Sequence, residues 1–410
     1  MSNTFSALKH RNFLYYFIGM CISTTGTWMQ NIAQPWLAYQ LTDSPFLLGL
    51  VGALQFTPVL LFSLFAGVLV DRFSKKKLLI ITQSASLVTT LALAILVSTG
   101  KIQYWHLLVT STMLGFINTL DMPVRQSFLI ELVGKEDLMN AIALNSAVFN
   151  LARTIGPAIA GLVMRYFGLS ACFLINAVTF AAVLVSLFFI KPMQVVSTIR
   201  KDINVFKNIW EGLKYIYSKK ILFATILVMA VVGTFAMNFN VLVPVFSIEV
   251  LNQTETGYGL LMSCMGIGSF IGAMLIAAIS KKGPKKVFLF VVPIFVGLAL
   301  IVTGLTRVYA LTGVALGVAG FFFIMYSSNA NSAMQMNTDK EYLGRVMSVY
   351  TLVFAGSTPL GNLYAGAISE KFNASLGFIA CGGIILVLLV PIYIYLYRNR
   401  GKMQLPRPQA

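Results

Sequence analysis

Apolar runs long enough to cross about 30 Å of hydrocarbon recur along the whole chain, separated by short polar breaks. Roughly twelve such runs can be counted, starting near Phe13, Phe46, Leu78, Trp105, Asn140, Ala171, Ile221, Gly257, Val287, Tyr309, Arg345 and Leu376. The breaks are short except for one central stretch, Lys191 to Lys220. There Ile203, Phe206, Trp210, Leu213 and Tyr217 recur at three- and four-residue steps, with Lys201, Lys207, Asn208 and Lys214 on the other faces. This pattern predicts an amphipathic helix, able either to lie on a lipid leaflet with its lysines against anionic headgroups or to pack on protein.

Composition agrees with a chain solvated mainly by lipid. It is 58% hydrophobic and 10% charged, with a mean hydropathy of +0.82, where a soluble protein of this length has about a quarter of its residues charged. The expected class is an all-α integral membrane protein with both halves of the chain spanning the bilayer. A net charge of +17 would suggest nucleic acid, but its distribution says otherwise. Sorting the breaks by side places Lys9, Arg11, Arg72, Lys75–Lys77, Arg125, Lys135, the central stretch, Lys281, Lys282, Lys285, Lys286, Lys340, Arg345 and the basic tail on one face. Only Lys101, Arg165, Arg307 and Lys371 fall on the other. The positive-inside rule then expects both termini in the cytoplasm. The first apolar segment is too long for a cleaved leader and is expected to stay as the first span.

The chain also repeats. The segment beginning at Glu136 and the segment beginning at Glu341 align without a gap at an offset of 205 residues (341 against 136), matching Glu136/Glu341, Leu138/Leu343, Phe149/Phe354, Gly156/Gly361 and Gly161/Gly366. A duplicated six-helix bundle is expected: residues 1–190, a cytoplasmic linker 191–220, and residues 221–410. Two parallel halves around a midplane site are a known transporter plan.

The break at Gly67–Leu78 reads GVLVDRFSKKKL. It resembles the G-x-L-x-D-R-x-G-R-K signature of the major facilitator superfamily. The resemblance implies twelve spans in two pseudo-symmetric bundles around a central cavity. Its second copy, at Ser280–Lys286, keeps the lysines and loses the acid. In the superfamily the signature aspartate meets the start of the eleventh helix when the cytoplasmic side is closed. A carboxylate at a helix N-terminus is favourable, and a contact made in one state biases the equilibrium towards it. Gly67, Asp71, Arg72 and Lys76 are thus the expected latch against Gly344 and Arg345, the alternative being a purely topological loop. In the fifth helix Gly156, Pro157 and Gly161 stand in GPAIAG, a partial match to the exporters' G-x-x-x-G-P-x-x-G-G. Small residues there permit close helix approach, and Pro bends the helix.

Ionisable residues inside spans are the default functional candidates. Asp121 and Arg153 are expected to face the cavity and partly neutralise each other, with Asp121 exchanging a proton, or else to form a static pair between helices 4 and 5. Arg125 is expected to snorkel to the interface. Trp28, Asn31, Gln34, Asn118, Asn145, Phe149, Asn238, Tyr326, Asn329, Tyr350 and Phe354 complete the expected substrate cavity, alongside Gln55, Asn240 and Asn331. So few charges imply an amphipathic, aromatic or weakly charged substrate, with a sugar left open. The four cysteines are scattered singly and form no metal or redox pattern. No nucleotide-binding loop and no catalytic constellation is found, so neither a cofactor nor an enzyme is expected.

The stretch Leu120–Gly161 resembles the superfamily branch containing the enterobactin exporter. That resemblance implies a monomeric bacterial plasma-membrane protein that exports a siderophore, drug or metabolite in exchange for protons. Solute uptake on the same scaffold, and a lipid-handling or sensor protein, are the alternatives.

Overall fold

The computed structural model describes residues 5–191, 205–279 and 283–398, excepting the side chains of Leu64, Val68, Asp71, Val205 and Phe206. The first part of the expected linker, with Lys201 and Ile203, and the Ser280–Lys282 part of the second signature copy lie outside these residues. The chain is helical throughout the described residues. The first half holds α1 (Arg11–Thr42), α2 (Pro45–Arg72), α3 (Lys75–Ser98), α4 (Tyr104–Val133), α5 (Leu138–Phe167) and α6 (Leu169–Phe189). A linker helix, α7 (Val205–Ser218), leads to the second half. There the seventh span is split into α8 (Lys220–Ala236) and α9 (Phe239–Glu249), and the ninth into α11 (Lys286–Phe290) and α12 (Val292–Leu305). The eighth is α10 (Glu255–Ile279), and the last three are α13 (Tyr309–Met336), α14 (Leu343–Lys371) and α15 (Ala374–Arg398). All twelve spans begin within three residues of the positions read from the sequence. In the fourth, fifth and sixth pairs the starts differ by the same 205 residues as the repeat.

Ten helical segments among the described residues are both long and apolar enough to cross a membrane. The other two spans, α1 and α14, have the length, at 32 and 29 residues, but carry more polar side chains. The α1–α2 turn shows how tightly such helices are joined. Asp43 adopts φ 48° to end α1, and the Ser44 hydroxyl accepts the Leu47 N–H at 3.2 Å to cap α2, with Pro45 in its first turn. Proline there sacrifices no helical hydrogen bond.

Within the first half α1 packs on α5 and α6, and α3 on α4 and α6. In the second half α12 packs on α13 and α15, and α14 on α8. The two most extensive crossings between the halves are α2 with α14 and α5 with α10, and α9 also packs on α1 and α2. The linker helix resolves the two readings of its pattern. Gly212 backs onto the Arg345 carbonyl, and Ile216 is buried, while Trp210 and Tyr217 stand exposed. One face packs on α14, and an aromatic face remains outward.

Candidate functional site

The site is the seam between the halves, which is closed at one end and open at the other. At the end away from the termini the helices nearly touch. A Cβ built on Gly161 would lie 2.7 Å from the Glu255 carbonyl oxygen, and one on Gly366 would lie 2.6 Å from that of Pro45. Only glycine fits such crossings. Gly259 of α10 backs onto the Pro157 carbonyl, where a Cβ would come within 2.4 Å, so Pro157 and Gly161 of GPAIAG belong to the closed part of the seam, while Gly156 packs on Trp28 within the first half. Polar groups lock the same end. The Tyr39 hydroxyl donates to Glu249 Oε1 at 2.8 Å. Glu370 Oε2 accepts the Ser44 hydroxyl at 2.8 Å and the Phe46 N–H at 3.2 Å, so a carboxylate of the second half caps the positive end of α2. Trp36 stacks on Tyr258 with centroids 5.3 Å apart.

The end bearing the termini is open. Gly67 and Gly344 each face space with nothing within 4 Å, and Phe62, Phe65 and Leu69 of α2 and Met139 and Phe149 of α5 are exposed. Opening there is a cavity of about 520 Å³ lined by Ser327, Ser328, Asn331 and Ser332 of α13 with Tyr350 and Phe354 of α14. The two rings lie nearly parallel, 6.2 Å apart. In the first half, Trp28 meets Phe149 edge-on at 5.7 Å, with Asn31, Gln55 and Asn145 half-buried and Asn118 exposed. Hydroxyls, amides and aromatic faces suit a ligand with rings and a few polar groups.

Other expected site residues lie elsewhere. Asp121 does not pair with Arg153, and it faces α3 rather than the cavity. Its Oδ1 accepts the Thr82 hydroxyl at 2.7 Å and the Gln83 amide at 2.8 Å, and its Oδ2 accepts Arg125 Nε. Arg125 does not snorkel; its guanidinium lies between Asp121 and the Met20 sulfur. A buried carboxylate this deep needs several donors, and one turn along α4 was the nearest cation. Arg153 is left with one side-chain partner among the described residues, Asn150 Oδ1 at 3.3 Å, and a buried Nε with none. Gln34 bonds to Ser111 at 2.6 Å within a buried network. Asn329 clamps the Lys285 backbone through both its amide atoms, each at 3.0 Å. Asn238 is buried at the break between α8 and α9, donating to the Thr234 carbonyl, and Tyr326 is fully buried.

Of the expected latch, Lys76 bonds to the Ile190 carbonyl at 2.7 Å within its own half. Arg345 pairs with Glu211 of α7 at 3.1 Å, and Arg72 is exposed. Asp71 stands in the last turn of α2, and its side chain lies outside the described residues. Sequence reading missed Tyr39, Glu211, Glu249, Gly259 and Glu370. The two seam acids carried a signal, since they stand at span ends on the face with few cations. Gly259 and Gly266, which back onto the Pro157 and Arg153 carbonyls of α5, carried another in their spacing along α10.

Comparisons place this architecture. The family model described as transmembrane secretion effector matches residues 2–405. The staphyloferrin A transporter of Staphylococcus aureus is 25% identical over 95% of this chain and 97% of that protein. The multidrug efflux pump Tap of Mycolicibacterium fortuitum is 24% identical over 98% of each. The macrolide efflux protein A of Streptococcus pyogenes is 22% identical over 92% of this chain and 94% of its own length. Among solved structures, a bacterial homologue of the human lysosomal transporter Spinster, inward-facing and unoccupied, superposes with a TM-score of 0.76 at 12% identity, covering 96% of this chain and 98% of that one. The nucleoside transporter NupG gives 0.76 at 11% identity, covering 94% of this chain and 99% of that one.

Proposed function

This chain belongs to the transmembrane secretion effector family of the major facilitator superfamily, and from that premise we propose that it exports a small amphipathic molecule in exchange for protons. It is a secondary transporter. The observation that carries the proposal is the seam: closed by glycines and carboxylates at one end, and open onto a polar and aromatic cavity at the other. Charge asymmetry makes the open face cytoplasmic, so this conformation takes its cargo from inside. Relatives named for a siderophore, several drugs and macrolides support an amphipathic cargo.

Outward opening must break the seam. Glu249 and Glu370 accept bonds from the first half only while that end is closed. As neutral acids they are weaker acceptors, so protons arriving from outside favour opening. Asp121 then serves as a brace held by Arg125, and the charge state of the seam acids sets how readily that end opens. In the outward-open form Arg345 leaves Glu211, and Asp71 and Arg72 meet the start of α14 as a latch.

The test is transport into inverted vesicles with an acid interior, using a panel of fluorescent amphipathic compounds. Gradient-driven uptake that is lost in Glu370→Gln and persists per folded molecule in Asp121→Asn is expected. Gradient-driven uptake of the same panel only into right-side-out vesicles would instead establish an uptake porter.

A further inference from the structure

A second concavity lies away from the seam, on the outer side of the second half. Between α12 and α15, at the face bearing the termini, a groove of about 700 Å³ is lined by apolar side chains, among them Phe290, Ile294 and Val390, with Lys286 and Arg398 at its rim. Among the described residues no carboxylate lines it. Lys286 opens α11 and Arg398 closes α15, so both cations sit at the level where these helices leave the membrane. Val291 and Val390 are exposed along it, and Ile294 is half-buried.

The groove exists because the ninth span is broken. Pro293 has no N–H to give, and the Ile294 N–H turns to the Val291 carbonyl at 3.0 Å. The Phe290 carbonyl thereby loses its helical partner and accepts the Tyr393 hydroxyl instead. This bond pins α15 to the break and fixes the shape of the groove. The matching corner of the first half, between α3 and α6, has no such break. There α3 runs unbroken from Lys75 to Ser98, and Lys76 ties it to the last turn of α6 through the Ile190 carbonyl.

A lipid-facing helix surface is expected to be apolar, but a fixed concavity with two cations over an apolar floor is a more particular feature. Its volume lies within the range of small-ligand sites, about 300 to 1,000 Å³. Arg suits bidentate contact with a phosphate, and basic pockets between spans at the cytoplasmic surface are where anionic headgroups bind. We propose that this groove holds one anionic phospholipid, its phosphate between Lys286 and Arg398 and an acyl chain along Phe290, Ile294 and Val390.

The test uses the full-length protein in vesicles of phosphatidylcholine carrying a trace of photoactivatable phosphatidylglycerol with a diazirine in its acyl chain. Label is expected on peptides spanning residues 290–294 and 390–394, displaced by unlabelled phosphatidylglycerol and not by phosphatidylcholine. Replacing both rim cations, Lys286→Gln with Arg398→Gln, should weaken that displacement roughly thirtyfold, about fivefold for each cation. Val390→Trp, which fills the groove without touching a charge, should abolish label at these peptides and leave label elsewhere unchanged. The proposal is overturned if phosphatidylcholine or inorganic phosphate displaces the label equally well. It is likewise overturned if labelling of these peptides survives in Val390→Trp.

Discussion

The two halves share a backbone plan and differ in what fills it. In the first half buried polar side chains brace the helices to one another: Asp121 to Arg125, Thr82 and Gln83, and Gln30 to Asn176 at 2.6 Å and Thr90 at 3.2 Å. At the 205-residue offset Asp121 becomes Tyr326, Arg125 becomes Ala330, Ser111 becomes Leu316 and Asn176 becomes Cys381. The second half is packed with rings and aliphatic chains instead, as where Phe246 meets Phe378 at 5.4 Å. It also contains two broken spans, at Asn238 and Val291, where the first half has unbroken α1 and α3. A braced bundle beside an apolar, interrupted one teaches that the repeat conserves crossings while each half assigns stiffness separately.

A third contrast lies where the fifth helix of each half begins. Asn140 accepts the Ala7 N–H at 3.0 Å, holding the residues before α1. Its counterpart Arg345 holds α7 through Glu211, and Tyr342, the counterpart of Asp137, stacks on Tyr215 at 4.5 Å. Both halves dock their preceding segment at the same place, one by hydrogen bonds and the other by an ion pair and a ring stack.

Substitutions at paired positions can break this contrast. Asp121→Leu leaves Arg125 buried without its counter-charge and should lower the unfolding free energy in detergent by about 3 to 5 kcal/mol. Adding Arg125→Met should recover most of that loss, and no recovery would show that the pair is not a brace. Next in size is Gln30→Leu, which orphans Asn176 and should cost about 1 to 3 kcal/mol by the same unfolding measurement. Asn238→Leu in the second half removes one bond to the Thr234 carbonyl and a long contact to Cys381, and should cost about 1 kcal/mol. Tyr326→Phe should change stability by less than about 0.5 kcal/mol in either direction, because its buried hydroxyl has no hydrogen-bond partner among the described residues. A large loss there would mean that the second half is braced as well.

The smallest effect should be one of pH. Hydrogen bonds from Ser6 and His10 hold the Asp137 carboxyl below its ordinary range, with Lys9 adding to them. A depressed carboxylate stabilises the fold above its unfolded value, near 3.9, and that contribution disappears as pH falls through the lowered folded value. Amide protection of residues 5–10, taken relative to the intrinsic exchange rate at each pH, should therefore fall on acidification in the wild type. In Asp137→Asn it should already be low at neutral pH and change little on acidification.

Much of this was legible in the sequence. Span starts, the repeat and the exporter element follow from apolar run length and from glycine and proline spacing, which act locally. The partner of Asp121 was written in plain view, since Arg125 stands four residues on. What decided between snorkelling and pairing was a donor pair on another helix, Thr82 and Gln83, whose proximity no spacing reveals. Asn329 misled for the same reason: a polar residue in a span looks the same whether it meets a ligand or clamps a loop. The seam acids depend on which helix ends meet across the halves, a property of tertiary packing alone.

The central claim, that the halves rock about this seam, is tested most directly by two interspin distances in a cysteine-free background. One pair, Phe73→Cys with Lys340→Cys, spans the open end, and the other, Leu41→Cys with Phe372→Cys, spans the closed end. Acidifying the face away from the termini in proteoliposomes should shorten the first distance and lengthen the second in the same fraction of molecules. Two distances that stay fixed, or that lengthen together, would contradict alternating access about this seam.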